Sequence, residues 1–323
     1  MAPAPPIQAP SGKEQPMPVP ITLTPQIMTA FKPAKVFPTA VEPGSTITSI
    51  TFDDMGDNCV TSGDDDAFKL WNCRTGKHTK TFYSKKYGID HVRFTHGKTN
   101  LIHASTRING FIPGICCLNA PNESDDIRYH SLHDNKYLTY FTGHTDKVIA
   151  LAINPSNDQF ISSSLDGTVR LWDIRTPHCR GRTDIGSGTA PIVCYDNQGI
   201  VFAVAENCLP YSKIHMYDSS NFDAGPFATF IIVDPQLPLE SIPPKIPIVT
   251  SLSFSPHGKY ILVGTSGEVH YLLDSFTGQL LKRLVGHSGL GRNPMGDSGG
   301  TPQRGISGEE VKWSPDAKFV ISG

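Results

Sequence analysis

The chain has 323 residues, with 28 Lys and Arg against 30 Asp and Glu, a formal net charge of −2, and 18% charged residues in all. That balance lacks the basic stripe of a nucleic-acid-coating protein. Its longest apolar runs, such as Ile200–Ala205, fall far short of the ~18–20 residues of a spanning helix. Gly (29) and Pro (27) are enriched, which points to many turns between short elements. Length alone would suggest about two ordinary domains.

In chain order, residues 1–20 contain seven prolines and few large apolar groups, and read as a solvated, extended arm. The segment lacks a basic stretch, and its prolines interrupt any apolar run, so it does not read as a signal peptide. From Thr46 onward short β-type runs alternate with turn signals, without a sustained 3.6-residue period.

A self-similarity search explains the pattern. Thr46–Asn72 (TITSITFDDMGDNCVTSGDDDAFKLWN) aligns without a gap on Lys147–Asp173 (KVIALAINPSNDQFISSSLDGTVRLWD) at an offset of 101 residues. A third copy begins at Ile248 with the same offset. Weaker copies include Val92-Arg93-Phe94, with Phe94 42 residues after Phe52, and Val193-Cys194-Tyr195, with Tyr195 42 after Ile153, and a sixth starts at Val311. A unit of ~40–45 residues holding four short strands is the signature of a WD-repeat blade. The expected fold is therefore all-β, a WD-repeat β-propeller across residues 21–323. Insertions at 110–124, 234–247 and 288–308 read as surface loops.

The third unit carries the full repeat chemistry. Gly143-His144 is followed by Ser162, Asp166 and Trp172-Asp173. Buried polar groups must be hydrogen-bonded. The expectation is therefore a structural tetrad, with Asp166 accepting from His144, His144 reaching Ser162, and the Trp172 indole closing the chain. A hydrolase triad is the alternative chemistry for His, Asp and Ser, and the repeat context argues against it. No phosphate-binding loop, H-E-x-x-H or G-x-S-x-G motif occurs. Asp64-Asp65-Asp66 lacks the further oxygen ligands of a calcium loop. The seven cysteines include no C-x-x-C pair and read as reduced thiols. The twelve histidines read as residues of solvated loops or strand ends. No cofactor, metal or catalytic residue is expected.

The repeat does not demand two segments. Phe82–Gly88 (FYSKKYG) joins the first unit to the second, and Tyr83, Lys85, Lys86 and Tyr87 suit an acidic or aromatic peptide. Ser131–Leu138 (SLHDNKYL) forms a hairpin with its turn at Asp134-Asn135.

On TFYSKKYGIDH, DDIRYHSLHDNKYLTYFTGH, QFISSSLDGTVRLWDIRTPHCRG and GPFATF, the chain resembles one WD-repeat family. Its members are shared by the SET-domain histone methyltransferase complex (COMPASS) and the mRNA cleavage and polyadenylation machinery. An animal relative also associates with a protein phosphatase complex. The resemblance implies a non-catalytic nuclear scaffold whose partners are subunits of those assemblies, acting in histone methylation, transcription termination and mRNA 3′-end processing. It also implies a seven-bladed ring, closed by a strand from ITLTPQIMTAFKPAKVF, of which this sequence holds five complete blades and part of a sixth, as a truncated chain would. The other propeller role is a substrate receptor of a ubiquitin ligase. Neither membrane attachment nor direct nucleic-acid binding is expected.

Overall fold

A computed structural model describes residues 22–32, 35–37, 39–97, 99–106, 127–186, 190–208, 211–236, 248–286 and 311–322. The arm at 1–20, the insertions at 110–124 and 288–308, and the 237–247 part of the insertion at 234–247 lie outside the described residues. The chain divides into two compact units, Met1–Val36 and Phe37–Gly323.

In the first unit the described residues form a single short helix, α1 (Pro25–Thr29). The ring-closing strand implied by the resemblance is not formed at residues 22–32 or 35–37. The local sequence explains the difference. Thr24 takes the N-cap, its hydroxyl accepting from the Ile27 N–H at 3.3 Å, and Pro25 occupies the first turn, where its missing N–H costs nothing.

The second unit is built almost wholly of antiparallel four-stranded sheets, each a meander in chain order. Blade 1 comprises β1 (Ile47–Phe52), β2 (Asn58–Gly63), β3 (Ala67–Asn72) and β4 (Lys77–Tyr83). Blade 2 comprises β5 (Asp90–Phe94), β6 (Asn100–Ala104), β7 (Ile127–Ser131) and β8 (Lys136–Phe141). Blade 3 comprises β9 (Val148–Ile153), β10 (Gln159–Ser164), β11 (Thr168–Asp173) and β12 (Thr176–Asp184). Blade 4 comprises β13 (Ile192–Tyr195), β14 (Val201–Asn207), β15 (Ser212–Asp218) and β16 (Ala228–Ile232). Blade 5 comprises β17 (Val249–Phe254), β18 (Tyr260–Thr265), β19 (Val269–Asp274) and β20 (Leu280–Val285). A two-stranded sheet follows, β21 (Val311–Trp313) with β22 (Val320–Ser322). The unit is a WD β-propeller.

The alternation of each strand decides how blades stack. The middle strands of a blade are buried on both faces and read as nearly continuous apolar or small-residue runs, as in Phe160–Ser164 and Phe202–Ala205. Apolar clusters accordingly span blade boundaries: Ile102, Ile127 and Phe141 of blade 2 pack on Phe160 and Trp172 of blade 3. Ala203, Ile214 and Met216 of blade 4 pack on Leu252, Ile261 and Leu273 of blade 5.

First strands of successive blades lie side by side, so fourth strands are outermost. A repeated polar stitch joins neighbours. Arg93 Nε donates to the Leu151 carbonyl at 3.1 Å, Asn154 Nδ2 to the Gly199 carbonyl at 2.8 Å, and Asn197 Nδ2 to the Ser255 carbonyl at 2.8 Å. The insertion at 234–247 is not wholly a solvated loop, because Asp234 at its start is pinned to blade 5. Its carboxylate, 2% exposed, accepts from Arg283 Nε at 2.9 Å and the Tyr271 hydroxyl at 3.0 Å.

Candidate functional site: tetrad and partner face

Register places the third-blade quartet. Phe160 pairs with Trp172 and Ser162 with Arg170 across β10 and β11, so Ser162 and Trp172 share one face. His144 enters from the segment between β8 and β9. Its Nδ1 lies 3.0 Å from Asp166 Oδ2, its Nε2 lies 2.7 Å from Ser162 Oγ, and Trp172 Nε1 donates to the same hydroxyl at 2.8 Å. One assignment satisfies every atom: the indole donates to Ser162, Ser162 donates to His144, and His144 donates to Asp166. Asp166 also accepts from the Thr145 and Thr168 amides at 3.1 and 2.8 Å and from the Thr168 hydroxyl at 2.7 Å.

Burial opposes ionisation of Asp166, yet the His144 and Thr168 hydrogen bonds outweigh it and hold the carboxyl well below the usual range. Burial is the main cause that lowers the pKa of His144, partly offset by Asp166, and keeps the imidazole neutral. Ser162 and Trp172 are fully buried, so the quartet has no surface on which to receive a substrate.

Blade 1 keeps half of this device. Trp71 Nε1 donates to Thr61 Oγ1 at 2.9 Å. The carboxylates of Asp64 and Asp65 are engaged by backbone: Asp64 accepts from the Thr46 amide at 2.8 Å, and Asp65 from the Glu42 and Ala67 amides at 3.1 and 3.2 Å.

Blade 2 replaces it. The pairing of Phe94 with Leu101 and of Leu101 with His130 puts His103 at the hydroxyl position of Thr61 and Ser162, and His130 at the tryptophan position. Histidines 103, 130 and 270 are essentially buried, a correction to their reading as solvated residues, and His144 is buried as its place in the tetrad requires. His103 is pushed down to about 3 by burial, with His130 beside it adding to the shift. His130 is lowered too, again by burial first.

Arg128, 1% exposed, lies on β7 beside this pair. Its guanidinium carbon stands 3.6 Å from the Tyr87 ring centroid, 5.5 Å from Tyr140 and 6.0 Å from Tyr137. That geometry gives a dehydrated cation three aromatic rings within cation–π range.

The loop between β4 and β5 closes over this assembly. The Ser84 amide donates to the Asp66 carbonyl at 2.9 Å, Gly88 donates back to Ser84 at 2.7 Å, and Ser84 Oγ meets the Tyr137 hydroxyl at 2.8 Å. Gly88 has φ +70°, and a Cβ there would lie 1.7 Å from Thr106 Oγ1, so only glycine fits. The four partner-face residues are thereby presented in two ways. Tyr83, Lys85 and Lys86 are exposed, whereas Tyr87 is half-buried and serves as the anchor. Lys85 Nζ stands 5.5 Å from the Tyr83 ring and Lys86 Nζ 4.9 Å from the Tyr87 ring. The Tyr87 hydroxyl beside Lys86 raises its pKa. The result is a cationic, aromatic loop on a rigid base. Arg128, Tyr137 and Tyr140 belong to this site although the spacing argument had not singled them out.

At the other end of the blades, a cleft of about 490 Å³ lies between the β13–β14 and β17–β18 turns, lined by Asp196, His257, Tyr260, Asp274 and Phe276. Asp196 and Asp274 accept from amides of their own turns. Among the described residues, no three His, Cys, Asp or Glu side chains gather as metal ligands.

The WD domain, G-beta repeat model matches residues 32–72, 135–173 and 244–270. The chain is 38% identical over 303 residues to WD repeat-containing protein 82 of Drosophila melanogaster, covering 94% of this chain and 81% of that protein. It is 33% identical to the COMPASS component SWD2 of Saccharomyces cerevisiae, over 90% of this chain and 77% of the relative. It is 39% identical to the Set1 complex component swd2 of Schizosaccharomyces pombe, over 74% and 59%. The chain belongs to this SWD2 family of WD-repeat proteins. Membership in the SWD2 family agrees with a site built from packing and hydrogen bonding. The tetrad residues are consumed in holding blade 3, whereas the β4–β5 loop presents Tyr83, Lys85 and Lys86 to solvent.

Proposed function

We propose that this protein is a non-catalytic scaffold subunit of a SET-domain histone-lysine methyltransferase complex of the COMPASS type, acting in the nucleus. The names of two SWD2 relatives, a COMPASS component and a Set1 complex component, support the assembly. A second set of partners in the cleavage and polyadenylation machinery, linking the chain to transcription termination and mRNA 3′-end processing, completes the proposal.

The observation that carries the docking role is the β4–β5 loop. Lys85 and Lys86 stand exposed beside Tyr83 and Tyr87, over a base fixed by Arg128. Aromatic rings supply contact area at low entropic cost, and paired ammonium groups select acidic side chains. Such a surface fits an acidic, aromatic peptide of a partner subunit.

The test is affinity purification of the tagged full-length gene product, wild type and Lys85→Glu/Lys86→Glu, with mass spectrometry. The wild type should recover the SET-domain enzyme and cleavage factors, and the double variant should lose at least one set. Recovery of ubiquitin-ligase subunits instead would overturn the assignment, and unchanged recovery with the variant would eliminate this surface.

A further inference from the structure

Five outermost strands close the five blades, and four of them are guarded. An open sheet edge offers unpaired backbone groups to any passing strand, and proteins blunt it with charge or proline. β4 carries Lys77 and Lys80, β8 carries Lys136, β12 carries Pro177, Arg180 and Arg182, and β20 carries Lys282 and Arg283. β16, Ala228-Thr229-Phe230-Ile231-Ile232, has no charged residue and no proline. Among the described residues it pairs only with β15, and its other edge carries no strand.

The two faces of β16 differ. Ala228, Phe230 and Ile232 turn toward the apolar cluster of blade 5. Phe230 sits so close to Gly278 that a Cβ there would lie 2.2 Å from its ring. The alternate positions are uncovered: Phe227 is 62%, Ile231 53% and Val233 52% exposed, with Thr229 exposed between them. Polar neighbours on the same face are already engaged with one another. His215, opposite Thr229, meets its hydroxyl at 3.0 Å and Glu206 at 3.0 Å, while Lys213, opposite Ile231, reaches Glu206 at 3.6 Å. What remains unpartnered is an uncharged, apolar row beside an open backbone ladder.

We infer that β16 is a β-augmentation site, at which an extended partner segment with alternating apolar side chains adds as a fifth strand to blade 4. Main-chain hydrogen bonds supply affinity in this mode, and side chains at every second position supply selectivity. Phe227, Ile231 and Val233 would read those positions, favouring uncharged β-branched or aromatic residues and rejecting proline. A second copy of this chain is a poorer occupant. Five residues give about 17 Å of ladder, and two rigid blades meeting edge to edge cover far less than the ~1,200 Å² of a stable dimer. A flexible segment pairs with the ladder and also folds its side chains over the row. This surface lies on a different blade from the β4–β5 loop, so either reading can fail without the other.

A random nine-residue peptide library displayed on phage, panned against the folded full-length protein, tests the inference. Selected peptides should share an alternating apolar pattern without proline. As synthetic peptides they should bind Ile231→Lys and Val233→Lys at least tenfold more weakly, and Lys85→Glu/Lys86→Glu with unchanged affinity. Ile231 and Val233 are both exposed, and unchanged thermal melts verify that the variants fold. Peptides that bind Ile231→Lys as well as wild type, selection of no peptide, or a concentration-dependent dimer abolished by Ile231→Lys would each overturn it.

Discussion

Blades 2 and 3 occupy equivalent positions in the repeat and solve one problem with opposite chemistry. In blade 3 the interior hydroxyl, imidazole, carboxylate and indole form a closed hydrogen-bond chain from Asp166 through His144 and Ser162 to Trp172. In blade 2 the same register holds His103 and His130, and Arg128 lies among the rings of Tyr87, Tyr137 and Tyr140. His103 Nε2 and His130 Nδ1 are buried without a hydrogen-bond partner. The closed chain rigidifies a blade and leaves nothing to recognise. The open, aromatic version costs stability, and it lies beneath the loop that presents Lys85 and Lys86. On the proposed docking role, stability and recognition fall to neighbouring blades.

The largest test of this contrast is Trp172→Ala. Trp172 is fully buried, stacks on Phe160 and meets Phe141 edge-on, so the substitution removes core packing and the hydrogen bond that the indole donates to Ser162. A loss of about 3–5 kcal/mol is expected from large-to-small core substitutions. His130→Ala, at the equivalent register position, removes a ring that already lacks one hydrogen bond and should cost clearly less. Urea denaturation of both variants measures the difference. Equal losses would mean that blade 2 is not the weaker half of the comparison.

The repeat made most of this fold legible. Ungapped alignment of Thr46–Asn72 with Lys147–Asp173 carries strand positions, turn positions and the Ser162, Asp166 and Trp172 positions of the tetrad together, because each is fixed by one packing problem solved again in each blade. The residues of blade 2 were harder. An offset of 42 residues from Thr61 lands on His103, but the stretch at 107–126 breaks the spacing before His130. Its equivalence to tryptophan emerges only from strand register. Tyr83, Lys85, Lys86 and Tyr87 stood out because the repeat does not require them. Tyr137 lay in the hairpin Ser131–Leu138 that also stood out, whereas Arg128 and Tyr140 stayed hidden because strand residues look like core until the rings are seen to surround a cation. At residues 22–32 the local signal of Thr24-Pro25 sets a short helix, and the ring-closing strand of the family needs a final blade that the described residues do not include.

Acidification should separate the blades next. Folded His103 keeps its imidazole neutral down to about 3, whereas in the unfolded chain it titrates near ~6.5. The unfolded state therefore binds more protons in acid, and stability falls as pH drops below about 6.5. One such group contributes a slope of about 1.4 kcal/mol per pH unit, roughly 2 kcal/mol between pH 6.5 and 5. His130 and His144 shift in the same direction and add to the trend. His103→Thr, which installs the residue type of blade 1, should flatten the slope by the share of one group. Urea midpoints at pH 5, 6 and 7 supply the comparison, and an unchanged slope in the variant would assign the acid sensitivity elsewhere.

The smallest and most specific effect belongs to Arg128→Lys, which keeps the charge and changes its shape. A guanidinium stacks its plane on rings and is weakly hydrated, whereas an ammonium is a compact, strongly hydrated point charge. With Tyr87 at 3.6 Å and Tyr140 at 5.5 Å, the exchange should forfeit about 1–2 kcal/mol of desolvated cation–π attraction. Tyr87 is the anchor of the β4–β5 loop, so the same substitution should weaken partner recovery without changing Lys85 or Lys86. Lys69→Arg, at the equivalent register position of blade 1, lacks this aromatic surround and should change stability by less than about 0.5 kcal/mol. Equal effects of the two substitutions, or full partner recovery with Arg128→Lys, would show that the rings around Arg128 serve packing alone.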